Sequence, residues 1–161
     1  GLDCLKSMHS NGKGIIFLTP HLGCFEITSI FYGAKNPITI MYRKARKNWM
    51  NDLMVKGRKK GMVKLATPDI QGLKKILLAL KKGEAVGILP DQFADKGQGE
   101  WANFFGKTAY TMVLIKKLIQ KTDANSVMAY GERLADGLAT IFTSRRLIKK
   151  TLPQPKVLTN K

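Results

Sequence analysis

His21 and Glu26 are the two residues of this sequence whose types and spacing best fit acid–base chemistry. A neutral imidazole can take a proton from an alcohol, and a nearby carboxylate can fix its tautomer and stabilise the imidazolium that forms. On one straight helix, residues five apart differ by about 140° and ~7.5 Å of rise, so their side chains would not meet. Glu26 can therefore reach His21 only if His21 lies on a loop before the helix. Thr19 and Pro20 favour that loop, because proline suits the approach to a helix.

The elements that must position this pair follow from the apolar pattern, in which short apolar runs alternate with amphipathic stretches of 10 to 15 residues. This alternation predicts an α/β domain with a mostly parallel central sheet flanked by helices. We expect strands at 15–18, 38–42, 62–65, 85–89, 126–131 and 138–143, and helices at 22–33, 47–60, 70–82 and 111–120. The segment 91–106 lacks periodicity and is predicted to be a polar loop, of the kind that is often functional. Ligands of open α/β sheets bind beyond the carboxyl ends of strands, where His21 lies.

Several other chemistries are disfavoured by the same sequence. It contains neither a Gly-x-Ser-x-Gly segment nor a His-Glu-x-x-His segment, so it supports neither a serine hydrolase nor a zinc protease. Cys24 lies beside Phe25 and is more typical of a packing residue than of a nucleophile. The two cysteines form no disulfide framework and have no metal-ligand spacing with the two histidines. We therefore predict a reducing setting and no metal site.

The charge balance is the most extreme feature of the composition. The chain has 28 Lys and Arg against 11 Asp and Glu, a net charge of +17, which predicts a negatively charged partner. No apolar run reaches the roughly 18 to 20 residues of a membrane-spanning helix, so we expect any membrane contact to be peripheral. The basic clusters can equally be solvated faces of amphipathic helices, and they lie at 43–47, 57–60, 74–82, 116–117 and 145–150.

Four blocks of residues occur in a characteristic order from 12 to 143. They are His21 to Glu26, Tyr42-Arg43, Gly57-Arg58, and Leu89-Pro90-Asp91-Gln92 followed by Phe104-Phe105-Gly106 and Ala109-Tyr110-Thr111. Together they resemble the lysophospholipid acyltransferase superfamily and, within it, the bacterial lipid A biosynthesis acyltransferases that add lauroyl or myristoyl groups. One departure is Lys44, which stands where the family usually has proline.

The resemblance implies a glycerol-3-phosphate acyltransferase-like fold and an acyltransferase activity without a cofactor. It implies that His21 deprotonates an acceptor hydroxyl, which attacks an acyl thioester directly, and that Glu26 orients the imidazole. Arg43 or a backbone amide would stabilise the oxyanion, although Arg43 could also bind phosphate, and Arg43 and Arg58 could form plain ion pairs. Asp91 could bind acceptor hydroxyls, hold Arg43 or simply form a turn. Gln92 completes the predicted substrate-binding set.

The implied partners are acyl carrier protein as donor, an anionic lipid such as a phosphorylated lipid A precursor as acceptor, and the membrane surface. The implied location is the cytoplasmic face of the cell inner membrane. With 161 residues and 44% hydrophobic residues, the chain is expected to form one domain, 1–161, incomplete at both ends relative to the family. Acyl chain length is not predictable.

Three alternatives remain open at this level. The acceptor could be a glycerolipid or another glycolipid. The same basic clusters could bind nucleic acid phosphates, although no established nucleic-acid motif is present and no specific nucleic acid is predicted. The domain could also bind lipid without catalysis.

Overall fold

The computed structural model describes residues 2–133 and 140–147. Its elements follow in chain order: α1 Leu2–His9, β1 Ile15–Leu18, α2 Glu26–Gly33, β2 Ile38–Met41, α3 Asn48–Arg58, β3 Val63–Ala66, α4 Ile70–Lys81, β4 Ala85–Ile88, β5 Gly99–Phe104, β6 Lys107–Met112, α5 Leu114–Thr122, β7 Asn125–Arg133 and β8 Thr140–Leu147.

The main sheet has six strands in the order β3-β2-β4-β1-β7-β8. The first five run parallel, and β8 is antiparallel to β7. This architecture confirms the predicted α/β fold with a mostly parallel sheet. In the register of the two central strands, Leu18 of β1 pairs with Ile88 of β4, so these strands end side by side. Any residue that follows β1 is therefore near the residues that follow β4.

The core lies on both faces of the sheet, which explains why its strands read as continuous apolar runs. All four residues of β1 are buried. Phe17 belongs to one core cluster, with residues of α1 and α2, while Ile16 belongs to a second cluster with residues of α4 and α5. Alternate side chains of a strand point to opposite faces, so β1 is held from both sides. A strand fixed in this way provides a rigid base for the loop that follows it.

The segment 91–106 differs most from the prediction. Instead of one long polar loop, residues from Gly99 onward form a β-hairpin of β5 and β6, which also makes the predicted helix at 111–120 begin later, at Leu114. The hairpin escaped prediction because neither of its strands has a buried face, and alternating burial is the signal that marks a strand.

Two further differences concern the ends of the chain. Helix α1 was not predicted, although Leu5 and Met8 bury one side of it. The last predicted strand, 138–143, is observed as β8 from Thr140, and its first two residues lie outside the described residues. Residues 148–150 of the last basic cluster also lie outside the described residues. Within the described ranges, no helix has the length and apolar character needed to cross a membrane.

Candidate active site

His21 lies on the loop after β1, as predicted, and Asp91 holds it there. The backbone N–H of His21 donates to Asp91 Oδ2 at 2.7 Å, and ring atom Nδ1 lies 3.0 Å from Asp91 Oδ1. The loop itself is tied to β4 by a hydrogen bond from the Thr19 N–H to the Ile88 carbonyl at 3.0 Å. Because the carboxylate can only accept, Nδ1 carries a proton, and in the neutral imidazole Nε2 therefore has its lone pair free. Nε2 has no hydrogen-bond partner in the described part of the chain.

The orientation of the imidazole is fixed from a second side by Phe25. The two ring centroids are 5.0 Å apart with an interplanar angle of 63°, an edge-on contact. The side chain of His21 nevertheless keeps 41% of its surface exposed. A histidine that is both oriented and accessible meets the geometric requirement for a base.

Gly23 explains why the loop continues further than predicted. Its φ is +59°, and a Cβ at this position would lie 2.4 Å from the carbonyl oxygen of Gly131. This close approach lets the Cys24 N–H donate to that same oxygen at 3.1 Å. The backbone is therefore tied to β7 at Gly23 and Cys24, and α2 begins at Glu26 rather than at residue 22.

Glu26 was expected to contact the His21 imidazole, but it forms its hydrogen bonds elsewhere. Its carboxylate pairs with Arg58 at the end of α3, whose Nε lies 3.0 Å from Oε1 and 3.1 Å from Oε2, and whose terminal nitrogen also donates to Oε1. The physical reason is that Glu26 opens α2 and faces α3, whereas the His21 ring turns toward the end of β4. The expected contact between Glu26 and His21 is thus replaced by contacts of each residue with another partner, while a catalytic role for Glu26 stays a prediction.

The pKa of Asp91 reflects its contact with His21. Partial burial raises the pKa of Asp91, whereas the hydrogen bonds from the backbone N–H and the ring of His21 lower it. The hydrogen bonds outweigh burial, and the pKa lies below its usual range. Asp91 is therefore ionised at neutral pH and can stabilise positive charge on the imidazole.

A cavity of about 300 Å³ opens beside His21. Five of the six predicted site residues line it, and Asp91 supports His21 from behind. The polar part of the lining includes His21, Glu26, Arg43, Arg58 and Gln92, and the apolar part includes Phe17, Phe25, Ile38, Ile40, Met41, Met54, Ile88, Leu89, Met112 and Leu114. A polar region joined to an apolar interior suits a ligand with a reactive polar end and a hydrocarbon chain.

Two small features shape the interior of this cavity. Gly87 lines it, and a Cβ added there would lie 3.0 Å from Cγ2 of Ile40, so glycine keeps this part open. Thr28 also lines it and is 3% exposed, and its hydroxyl has no hydrogen-bond partner in the described part of the protein. The mainly apolar interior therefore contains a buried hydroxyl without a hydrogen-bond partner among the described residues.

Arg43 follows β2 and lies exposed on the cavity lining. It has no ion-pair partner among residues 2–133 and 140–147, and Asp91 contacts His21 rather than Arg43. Arg58, by contrast, is neutralised by Glu26 and its side chain is only 19% exposed. Arg43 is thus the guanidinium of this site that remains available to an anion.

Sequence reasoning included Asp91 in the site but missed its contact with His21. A signal was available, since His21 lies three residues after β1 and Asp91 three residues after β4. In a parallel sheet these positions become neighbours once β1 and β4 are adjacent. The strand order is what the apolar pattern did not reveal.

A mostly parallel sheet with an oriented histidine at its carboxyl edge and an apolar cavity beside it is the architecture expected for the acyltransferase superfamily that the motifs resemble. The sequence model of the bacterial lipid A biosynthesis acyltransferase family matches residues 1–140. The chain belongs to this family.

Individual relatives carry corresponding names. The chain is 30% identical over 105 residues to the lipid A biosynthesis palmitoleoyltransferase of Escherichia coli (strain K12). These aligned residues cover 65% of this chain and 34% of the relative. It is 26% identical over 125 residues to a lipid A biosynthesis acyltransferase of Haemophilus influenzae, covering 77% and 39% respectively. A lipid A biosynthesis acyltransferase 2 of Shigella flexneri is 25% identical over 125 residues, covering 77% and 40%. The chain thus matches between about a third and two fifths of the length of these relatives.

Proposed function

We propose that this chain forms the catalytic part of an acyltransferase that moves a fatty acyl group from an acyl thioester to a hydroxyl of a lipid A precursor. The observation that carries this proposal is the His21 imidazole, whose Nδ1 is held by Asp91 and whose Nε2 is free beside an apolar cavity. Membership of the lipid A acyltransferase family supports the same reaction class.

In the proposed reaction, Nε2 of His21 removes the proton of the acceptor hydroxyl as its oxygen attacks the thioester carbonyl carbon. A C–O bond forms, the C–S bond breaks, and the proton passes from the imidazolium to the departing thiolate. The thiol has a pKa of about 8.5 and leaves readily, so direct transfer needs no acyl-enzyme. Asp91 keeps Nδ1 protonated and stabilises the imidazolium, which makes Asp91 a positioning residue in this scheme.

The cationic residues have separate proposed roles. Arg43, which has no ion-pair partner in the described ranges, binds either the oxyanion of the tetrahedral intermediate or a phosphate of the acceptor. Arg58 holds Glu26, and this pair shapes the polar lining that His21 also contributes to. Glu26 is retained as a catalytic candidate on the family resemblance, acting through Arg58 or after a rearrangement that brings it to His21. Gln92 is proposed to bind substrate.

The cavity is proposed to hold the acyl chain, because its interior is built mainly from apolar side chains. Acyl carrier protein is the proposed donor, since a strongly acidic carrier complements a chain of net charge +17. The same charge favours a phosphorylated acceptor and a location at the anionic cytoplasmic face of the inner membrane.

The decisive test replaces His21 by glutamine in the full natural protein. Transfer of a radiolabelled acyl group from acyl carrier protein to a phosphorylated lipid A precursor should fall by about 10²–10⁴-fold, the usual contribution of a general base. Unchanged transfer would refute the role of His21. Parallel assays with a glycerolipid acceptor and with acyl-coenzyme A test the choice of acceptor and donor, and faster transfer to the glycerolipid would overturn the lipid A assignment.

A further inference from the structure

The β5–β6 hairpin ends in an exposed aromatic tip that the proposed chemistry does not use. Phe104 pairs with Lys107 across the hairpin, which leaves Phe105 and Gly106 as a two-residue turn. Phe105 and Gly106 have φ values of +50° and +79°. We call the residues Phe104 to Lys107 the hairpin tip.

Phe105 occupies a conformation that its residue type disfavours. Two-residue hairpin turns with positive φ at both positions prefer Asn, Asp or Gly, because a side chain with a Cβ is strained there. Among the described non-glycine residues, only Asp123 shares a positive φ. Burial of the Phe105 side chain does not compensate for this strain, since the side chain is 92% exposed. Neither turn formation nor core packing therefore accounts for phenylalanine at this position.

The neighbouring residues extend the apolar surface of the tip. Phe104 is 64% exposed and contacts Phe105 edge-on, with ring centroids 4.7 Å apart. Lys107, directly opposite Phe104, is also exposed and has no ion-pair partner in the part of the chain that the structure describes. The tip thus combines two adjacent aromatic rings with a cationic side chain.

We infer that the hairpin tip inserts into an anionic lipid bilayer. Two phenylalanines can bury at most about 150–250 Å² each, well below the roughly 800 Å² that each partner contributes to a stable protein interface. A bilayer, however, accepts a small apolar wedge and rewards a flanking cation on an anionic surface. The net charge of +17 on the chain complements such a surface.

Insertion would bring the cavity to the lipid. Met112 at the end of β6, Gln92 before the hairpin and Leu114 after it all line the cavity. The six-residue strands place the tip roughly 20 Å from this base. The hairpin would therefore hold the cavity within reach of lipid substrates. This purpose of insertion rests on the proposed acyl transfer, whereas insertion itself can be measured without it.

The insertion test uses an indole as a depth probe. In the full chain with Trp49 and Trp101 replaced by phenylalanine, we introduce either Phe105→Trp or, as a matched control on an apolar residue that is 74% exposed, Ile70→Trp. Vesicles of phosphatidylcholine and phosphatidylglycerol with brominated acyl chains should quench the indole at position 105 strongly and the indole at position 70 weakly. Equal quenching at the two positions, or none at either, would overturn the inference.

An affinity test separates insertion from folding. Phe105→Asn suits the positive φ, so thermal unfolding should be unchanged or shifted upward, while partitioning onto anionic vesicles should fall by about tenfold. Phe105→Gly serves as a second variant with the same expectation. Lys107→Gln should weaken binding to anionic vesicles but not to purely zwitterionic ones. If Phe105→Asn binds vesicles like the parent chain, the tip does not insert.

The two proposals fail in different ways. With the acceptor dispersed in detergent, Phe105→Asn should transfer acyl groups like the parent protein, because the tip is outside the cavity. The His21 substitution should lower transfer by about 10²–10⁴-fold but leave quenching of the indole at position 105 unchanged. If the protein transfers acyl groups but the indole at position 105 is not quenched, insertion alone is refuted. If the indole is quenched but the His21 variant transfers acyl groups at the parent rate, the proposed function alone is refuted.

Discussion

The two polar pairs beside the cavity begin from residues only five positions apart, yet they belong to different regions of the molecule. His21 is held at the carboxyl edge of the sheet, where Asp91 binds both its backbone N–H and its ring. Glu26 belongs to the helical layer, where it forms several hydrogen bonds with Arg58 between α2 and α3. The first pair orients one ring and leaves Nε2 accessible, whereas the second neutralises a carboxylate and joins two helices.

The difference shows that closeness in a motif does not establish contact in the fold. Gly23 separates the two regions, because its positive φ and its approach to Gly131 turn the chain between the two residues. A histidine oriented by an anion from the neighbouring strand can work as a base without Glu26. The contribution of each pair can therefore be measured separately.

The largest effect that would test this comparison is expected from Asp91→Asn. The asparagine amide can donate to Nδ1, which favours the tautomer with the proton on Nε2 and removes the base. We expect kcat to fall by about 10²–10⁴-fold, with KM changed much less, as for a residue that acts only through the histidine. The measurement is steady-state transfer from the acyl thioester.

Glu26→Gln is the matched control for that substitution, because it too exchanges a carboxylate for an amide at the cavity. If Asp91→Asn retained transfer while Glu26→Gln lost it, Glu26 would be the orienting carboxylate and the pairing seen here would not be the catalytic one.

A smaller but still large effect is expected from Gly23→Ala, which disturbs the boundary between the two regions. The new Cβ would lie 2.4 Å from the Gly131 oxygen, and the residue would keep a φ that alanine disfavours. We expect a loss of about 1–3 kcal/mol in the free energy of unfolding and at least tenfold lower transfer, because the His21 loop must shift. Urea unfolding and transfer assays on the same protein measure both.

Gly57→Ala is a suitable comparison, because a Cβ at Gly57 in α3 meets nothing within 4 Å. It should leave both quantities nearly unchanged. Similar losses in the two variants would show that the tight turn at Gly23 is not what positions His21.

The sheet and the site residues were predictable to different degrees, for physical reasons. The buried strands β1 and β4 gave clear signals, since residues buried on both faces produce uninterrupted apolar runs, and β1 was predicted with its observed bounds. Five predicted site residues line the cavity. His21, Arg43 and Gln92 meet there because the carboxyl ends of parallel strands lie at one edge of the sheet, whereas Glu26 and Arg58 reach the cavity from helices α2 and α3. The roles of these residues stay predictions.

What could not be predicted depends on strand order and on exposed elements. The contact of His21 with Asp91 requires β1 and β4 to be neighbours, which no local pattern reveals. The hairpin was missed because Trp101 and Phe104 are exposed on it rather than buried, so its strands lack alternating burial. Long-range pairing and unburied strands leave no periodic signal in one sequence.

The next smaller effect concerns the helical pair. A double-mutant cycle of Glu26→Gln and Arg58→Gln should give a coupling free energy of roughly 0.5–2 kcal/mol in urea unfolding, because the two side chains share several hydrogen bonds but remain partly exposed. Each single change leaves the partner charged but without its counter-charge, so the double variant should be more stable than the sum of the single changes predicts. Additive effects would mean that the pair does not stabilise the contact between α2 and α3.

The smallest effect is a pH dependence of stability at the sheet-edge pair of His21 and Asp91. The pKa of Asp91 is lowered in the folded chain, so its contribution to stability is present above its usual value of about 3.9 and is lost as pH falls through the lower folded value. The difference in unfolding free energy between the parent chain and Asp91→Asn should therefore diminish as the pH falls below about 4. Urea unfolding at closely spaced pH values measures it. A difference that instead grew as the pH fell below about 4 would imply a raised pKa for Asp91 and would contradict the hydrogen bonds by which it holds His21.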